Sequence, residues 1–370
     1  MSPFFCDLNI CMKNRTVLWY WYEIDEIEMA SELGFDILPG IIIKKQYYDK
    51  TKINSNDFNV VLINHFFHES YDRIKEDLSW ADLVIHYTTE IVSGPWQEYE
   101  DLIFETVNNK NFITICNGLA NMPWYPSERV FADAQTFFTR VARFCPITEV
   151  KRVQEHRTIM FDALLGKQGA RRDKIFKILK QNDLVEKNLV NYYWDMGDTI
   201  YRSPLLDMYD NNPIIGSSNP SPAEIPFSHV ISKAIYDCSW FSIVSETYSG
   251  TTFITEKTAK CLLTGRLFVM FGEMGHLAKL RSYGYKTFAP FVDESYDLIQ
   301  DEDERIKQAF TQVHNLCRRD DIGEVINEMY PIFKHNQKLL LDNQSRLKNF
   351  KNFLLPYLNQ KKTLENNTVF

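Results

Sequence analysis

Two carboxylates, a lysine and a glycine crowd one short stretch: Phe241-Ser-Ile-Val-Ser-Glu246-Thr-Tyr248-Ser-Gly250-Thr-Thr-Phe-Ile-Thr255-Glu256-Lys257. A β-rich run from Phe241 to Ser245 delivers Glu246 into a small polar loop containing Tyr248 and Gly250. Thr255 stands where a helix N-cap belongs, since a threonine hydroxyl accepts from the free N–H groups of a first turn. Glu256 and Lys257 fall in that turn. Gly265 closes the helix, and an apolar strand follows from Arg266 to Phe271. A strand–loop–helix–strand order implies parallel strands joined by a crossover helix. Sheets of this kind bind ligands at the carboxyl ends of their strands, where loops meet helix N-termini.

The chemistry on offer there suits a nucleotide sugar. A helix N-terminus favours a diphosphate through its free N–H groups and its dipole, and Lys257 adds a mobile point charge. Carboxylates repel phosphate, so Glu246 and Glu256 fit a different task, accepting hydrogen bonds from paired sugar hydroxyls. The plainer alternative makes Glu256 an ordinary first-turn acid beside an N-cap. A second basic turn lies upstream. A strand from Thr158 to Gly166 runs into Lys167-Gln-Gly169-Ala-Arg171-Arg172, before a helix expected over Asp173 to Gln181. Arginines in a first turn oppose the helix dipole, so either Arg171 or Arg172 is a candidate for an anion. The alternative is that both are solvated.

The Glu246 stretch resembles the donor segment of the α-1,3-fucosyltransferases. That family carries Phe-Glu-Asn-Ser, a short loop, then Asp-Tyr-Ile-Thr-Glu-Lys. Here Ser-Glu246-Thr is followed, ten positions after its acid, by the acid of Ile254-Thr255-Glu256-Lys257. A helix and a glycine-bounded apolar strand come next in the same order. The chain departs in Thr247-Tyr248 for Asn-Ser and in Thr252-Phe253 for Asp-Tyr, and the resemblance covers about thirty residues. It implies two Rossmann-like α/β domains facing a cleft, the GT-B architecture. It also implies an inverting, metal-independent glycosyltransferase (a hexosyl- or pentosyltransferase) using a nucleoside-diphosphate sugar, with a GDP-sugar such as GDP-fucose favoured. The donor set it implies is Glu246, Tyr248, Gly250, Thr255, Glu256 and Lys257, with Arg171 or Arg172 facing the diphosphate. No metal and no further cofactor is required, because arginine and lysine neutralise the leaving group. The acceptor is a glycan or another hydroxyl.

Inversion needs a general base within reach of that hydroxyl, and loops at strand ends supply the candidates. Asn64-His65-Phe-Phe-His68-Glu69 follows one predicted strand. Glu69 ranks first, because a carboxylate has this role in the fucosyltransferases; His65 and His68 follow.

Elements that must position these groups recur along the chain. Predicted strands run Thr16 to Tyr22, Phe58 to Asn64, Asp82 to Tyr87, Phe112 to Asn117 and Asn191 to Trp194, alternating with partly helical stretches. A helix is expected over Arg129 to Arg143, an irregular loop over Ser203 to Pro226, a helix over Ser228 to Asp237, a short strand over Lys286 to Phe288 and a long C-terminal helix over Tyr330 to Leu355. The expected domains are 1–155, on the acceptor side, and 156–345, binding the nucleotide sugar, with 346–370 as a helix end and polar tail.

Composition narrows the class. The chain has 370 residues, 45% hydrophobic and 24% charged, as in globular proteins, and a length suited to two domains. No apolar run approaches the 18 residues a membrane span needs. Seven scattered cysteines have neither metal nor redox spacing, which suggests buried thiols in a cytoplasmic protein. The net charge of −8 disfavours tight binding to a phosphate backbone. A nucleic acid nevertheless stays open as acceptor, since some phage enzymes of this architecture act on hydroxymethylated bases. A non-catalytic binding protein retaining the donor fold is a further alternative. Asp301-Glu302-Asp303-Glu304 contains an Asp-x-Asp pattern, but its setting suggests a solvated helix cap rather than a metal site.

Overall fold

The computed structural model describes residues 15–19, 41–44, 60–64, 83–88, 112–116, 130–132, 138, 141, 142, 145, 149–193, 199–209, 233–247, 252–342, 349 and 352–357. The chain divides into two compact units, Met1–Thr136 with Gln344–Phe370, and Phe137–Asn343.

The first unit holds a wholly parallel sheet. Its strands are β1 (Arg15–Trp19), β2 (Ile41–Lys44), β3 (Val60–Asn64), β4 (Leu83–Thr88), β5 (Phe112–Cys116) and β6 (Val130–Ala132), in the order β2-β1-β3-β4-β5-β6. Leu83, Val84, Ile85, Ile113 and Ile115 are buried at the centre of that sheet. Both directions of the side-chain alternation are apolar over Leu83–Ile85, as a parallel strand covered on both faces requires. Strand order reverses between β1 and β3, so β3 delivers the chain at Asn64 beside the reversal.

The second unit is built on β7 (Ile159–Lys167), β8 (Leu189–Tyr193), β9 (Thr199–Arg202), β10 (Ser239–Ser245) and β11 (Leu267–Phe271), in the order β11-β10-β7-β8-β9. All pairs are parallel except β8 with β9. The helices are α1 (Ala170–Gln181), α2 (Pro204–Tyr209), α3 (Lys233–Cys238), α4 (Glu256–Thr264), α5 (His276–Ser282), α6 (Glu302–Cys317), α7 (Ile322–Glu328) and α8 (Tyr330–Leu341). Every residue of β10 and β11 is buried, with Phe161, Phe241, Phe271 and Phe288 among the largest fully enclosed side chains. The mixed α/β architecture with its parallel sheets matches the expectation from sequence.

One buried charge cluster pins the amino ends of these strands. Arg266 pairs with Asp162 and also donates to the carbonyls of Tyr236, Ser239 and Phe241 and to the hydroxyls of Ser239 and Ser242. Burial raises the Asp162 pKa, against the Arg266 charge and the hydroxyl bonds that lower it. Every acceptor lies within the cluster, as a buried charge demands.

Several expectations change in the structure. Val130–Ala132 pairs with Thr114–Cys116 as a strand where a helix was expected; Phe138, Val141 and Ala142 are helical. Thr199–Arg202 adds an antiparallel edge strand that its short polar sequence did not announce. The irregular stretch after Ser203 opens with α2. Lys286 to Phe288 is not a strand, because side chains take its backbone groups. Lys286 N–H donates to Asn336 Oδ1 at 2.8 Å and Asn336 Nδ2 donates back to Lys286 O at 2.8 Å. Phe288 N–H donates to Glu294 Oε1 at 2.6 Å. Helix α8 ends at Leu341, and helical residues recur at 352–357.

Candidate functional site

The second sheet reverses its order between β7 and β10. From β7 the chain proceeds to β8 on one side; from β10 it proceeds to β11 on the other. In open α/β sheets such a reversal, at the carboxyl ends of the strands, is the usual ligand position. Gln168 and Gly169 link β7 to α1 there, and Glu246 and Thr247 follow β10.

Strand β7 ends with a register shift between Leu164 and Lys167 and with Gly166 at φ +68°. That left-handed backbone favours glycine. A Cβ on Gly166 would come 3.9 Å from Arg172 Nη1, so Arg172 reaches back over the strand end. Arg171 and Arg172 sit in the first turn of α1, and both are buried rather than solvated.

The two arginines have different work. Arg171 Nε donates to Glu302 Oε1 at 2.9 Å, Nη2 pairs with Glu273, and Nη1 donates to the Glu246 carbonyl at 3.3 Å. Its charge is met by two carboxylates. Arg172 Nη2 donates to the Thr247 hydroxyl at 2.8 Å, bridging the first turn after β7 to the residue two past β10. Burial lowers the Arg172 pKa while Glu246 and Glu256 raise it and Arg171 lowers it. Guanidinium stays protonated through such shifts, so Arg172 is a cation beside Gly166 and Thr247.

Thr255 is the N-cap of α4, as its sequence position suggested, with its hydroxyl accepting from Lys257 N–H at 3.4 Å. Gly265 ends the helix in the left-handed conformation, donating its N–H to Cys261 O. Glu246, expected to face a ligand, is instead 1% exposed and turned onto this cap. Its Oε1 accepts from Thr255 N–H at 3.0 Å and from the Thr258 hydroxyl at 2.8 Å, and its Oε2 accepts from the Thr255 hydroxyl at 2.6 Å. The geometry gives Glu246 a positioning role. Part of the positive helix end offered to a diphosphate in the sequence reading is occupied by the protein's own carboxylate.

Glu256 and Lys257 stay nearer solvent. Lys257 Nζ lies 3.0 Å from Glu256 Oε1, 3.1 Å from the Thr255 hydroxyl and 3.9 Å from Glu246 Oε2, with its side chain 26% exposed. Burial works to raise the Glu256 pKa, but Lys257 and Lys260 overcome it and hold the carboxyl at about 2. Lys257 and Glu256 thus form a part-exposed ion pair at the start of the helix. Glu256 remains an ionised acceptor.

The run after Ile299 is only partly the solvated cap expected. Asp301 caps α6 by accepting from Glu304 N–H at 2.8 Å. Glu302 turns inward to Arg171 and to Lys174, whose Nζ lies 3.1 Å from Oε2, and Asp303 also pairs with Lys174. Glu302 and Asp303 are thus paired with arginine and lysine, while Asp301 serves the helix cap. Beside them His276 is 1% exposed, and among the described residues no group hydrogen-bonds either ring nitrogen. Burial pushes its pKa down to about 4; Asp297 and Glu273 raise it and Arg171 lowers it.

The structure thus brings Arg172, Thr247, Glu246, Thr255, Glu256 and Lys257 to the carboxyl ends of β7 and β10, with Arg171 bonded to the Glu246 carbonyl. Tyr248, Gly250, His65, His68 and Glu69 lie outside the described residues. Glu273 and Thr247 were not singled out from sequence, and Glu302 was expected only within a solvated cap. One signal pointed toward the acids: an arginine pair opposing a helix dipole needs carboxylates from elsewhere.

Among the described residues no helix is long and apolar enough to cross a membrane. No family model matches the sequence, and no curated protein sequence matches it. A solved structure, "Crystal Structure of alpha1,3-Fucosyltransferase", is similar to 94% of this chain over 90% of its own, with a TM-score of 0.46 and 11% identity.

Proposed function

We propose that the protein is a glycosyltransferase that takes a sugar from a nucleoside-diphosphate sugar and passes it to a glycan or another hydroxyl acceptor. The observation that carries this reading is the convergence of Arg172 and Lys257 at the β7–β10 reversal, beside the ionised acceptor Glu256. Cations at that place meet the diphosphate; a carboxylate next to them accepts from a ribose or hexose diol. The donor preference, a GDP-sugar such as GDP-fucose, rests on the Ile254-Thr255-Glu256-Lys257 resemblance.

In the reaction the acceptor oxygen attacks the anomeric carbon. The bond from that carbon to the diphosphate oxygen breaks, its electron pair leaves with the diphosphate, and the acceptor proton passes to a base. Inversion follows from a single displacement. Arg172 and Lys257 stabilise the charge growing on the leaving oxygen, which is the task a metal has in other transferases. Glu69 is the proposed base, ahead of His65 and His68. The two sheet-bearing units are proposed to be two Rossmann-like domains of the GT-B kind.

Thermal-shift screening against GDP-, UDP- and ADP-sugars, followed by mass measurement of products on hydroxyl acceptors, tests the reading. A GDP-sugar should raise the melting temperature, and Arg172→Ala should abolish the shift while the variant stays folded. No shift with any nucleoside diphosphate would overturn the reading.

A further inference from the structure

The Arg171 ion cluster extends the reading of this site, on which the following inference rests. Arg171 joins three elements at once. Its guanidinium meets Glu302 in the first turn of α6, Glu273 in the loop between β11 and α5, and the carbonyl of Glu246 just past β10. Each carboxylate is held from behind. Glu302 Oε2 accepts from Lys174 Nζ at 3.1 Å, and Glu273 Oε2 lies 3.6 Å from Arg305 Nη2. Arg305 in turn donates to the carbonyls of Gly272, Ile299 and Gln300. Strand β10 is tied to its neighbour at the same point, where Glu246 N–H donates to Phe271 O at 3.2 Å.

Building such a cluster costs desolvation that its attraction barely offsets, so a buried ion pair is a weak source of stability. What a forked guanidinium between two carboxylates supplies is orientation. The residue it orients is Glu246. The Glu246 carboxylate sets the cap of α4, and the next residue, Thr247, holds Arg172. We propose that Glu302 and Glu273 are positioning residues for the anion site. Through Arg171 they fix the backbone leaving β10, so that Thr247 holds Arg172 and the α4 cap holds Lys257 toward one point. Neither acid touches the ligand.

Calorimetric titration of the full chain with inorganic pyrophosphate tests this, using wild type, Glu302→Gln, Thr247→Val and the double variant, with folding checked by circular dichroism. Glu302→Gln should weaken pyrophosphate roughly fivefold or more, and so should Thr247→Val. Because both act through the placement of Arg172, the double variant should bind no more than about twofold worse than the weaker single variant. A merely structural role for Glu302 would multiply the two losses, and that result, or unchanged affinity in folded Glu302→Gln, overturns the inference. Should Glu302→Gln fail to fold, Glu273→Gln serves in its place, with the same expectation. If wild type does not bind pyrophosphate, the anion-site reading itself fails and this inference falls with it; if wild type binds and only Glu302→Gln is silent, the inference alone is lost.

Discussion

Replacing Glu246 by glutamine separates a clamp from a ligand contact. The side chain is almost fully enclosed and receives three hydrogen bonds, two on Oε1 and one on Oε2. Glutamine keeps the shape but puts an NH2 group at one of the two oxygen positions. With the NH2 at Oε1 it would face Thr255 N–H, donor against donor. With the NH2 at Oε2 it would face the Thr255 hydroxyl, which already accepts from Lys257 N–H and Lys257 Nζ and has no lone pair to spare. Either way one bond is lost, and the others drop from charged to neutral strength. A bond to a charged group contributes about 1.5–3 kcal/mol and a neutral one about 1 kcal/mol. Burying an amide in place of a carboxylate recovers part of that sum. The expected net loss is about 2–4 kcal/mol of unfolding free energy. Urea denaturation at neutral pH, comparing midpoints at a common slope, measures it. A midpoint equal to wild type, with nucleotide-sugar affinity reduced tenfold or more, would refute the clamp and return Glu246 to the ligand.

Other outcomes follow from the same contacts. Glu256→Gln should lower neutral-pH stability, because Lys257 and Lys260 lose the carboxylate that their charges hold ionised, and should also weaken nucleotide-sugar binding measurably by calorimetry. Wild-type Glu256 has a folded pKa depressed from 4.5 to about 2, so its contribution is present above pH 4.5 and is lost as pH falls toward 2; the variant should lack that acid-dependent loss. His276, buried neutral with its pKa lowered from 6.5 to about 4, stabilises fully above pH 6.5 and progressively less as pH falls toward 4. His276→Leu should therefore flatten the urea midpoint between pH 6.5 and 4, and equal acid sensitivity in both proteins would contradict it. Gly265→Ala should cost about 2–4 kcal/mol, because the residue sits at φ +66° and its Cβ would meet Val150 Cγ1 at 2.5 Å; differential scanning calorimetry of the variant checks this.

Local chemistry made much of this protein legible in one dimension. The strand–loop–helix–strand unit around Glu246, the Thr255 cap and the Gly265 terminus each depend on residues within one or two turns, and caps and apolar runs carry that information directly. Asp301 was recognisable as a cap for the same reason. The division of labour between Arg171 and Arg172 was not legible. It is decided by Glu302, 131 positions away from Arg171, and by Glu273, 102 positions away. The same holds for Glu246, where sequence marks an acid at a strand end but not which way it turns. Backbone pairing was misread where partners are remote or unusual, as at Val130–Ala132 beside β5, and at Lys286, whose N–H and carbonyl go to the Asn336 side chain. Short-range hydrogen bonds and periodicity are written into adjacent residues. The direction of a charged side chain is set by the lowest-energy partner that folding brings within reach, and that partner is known only once the chain is packed.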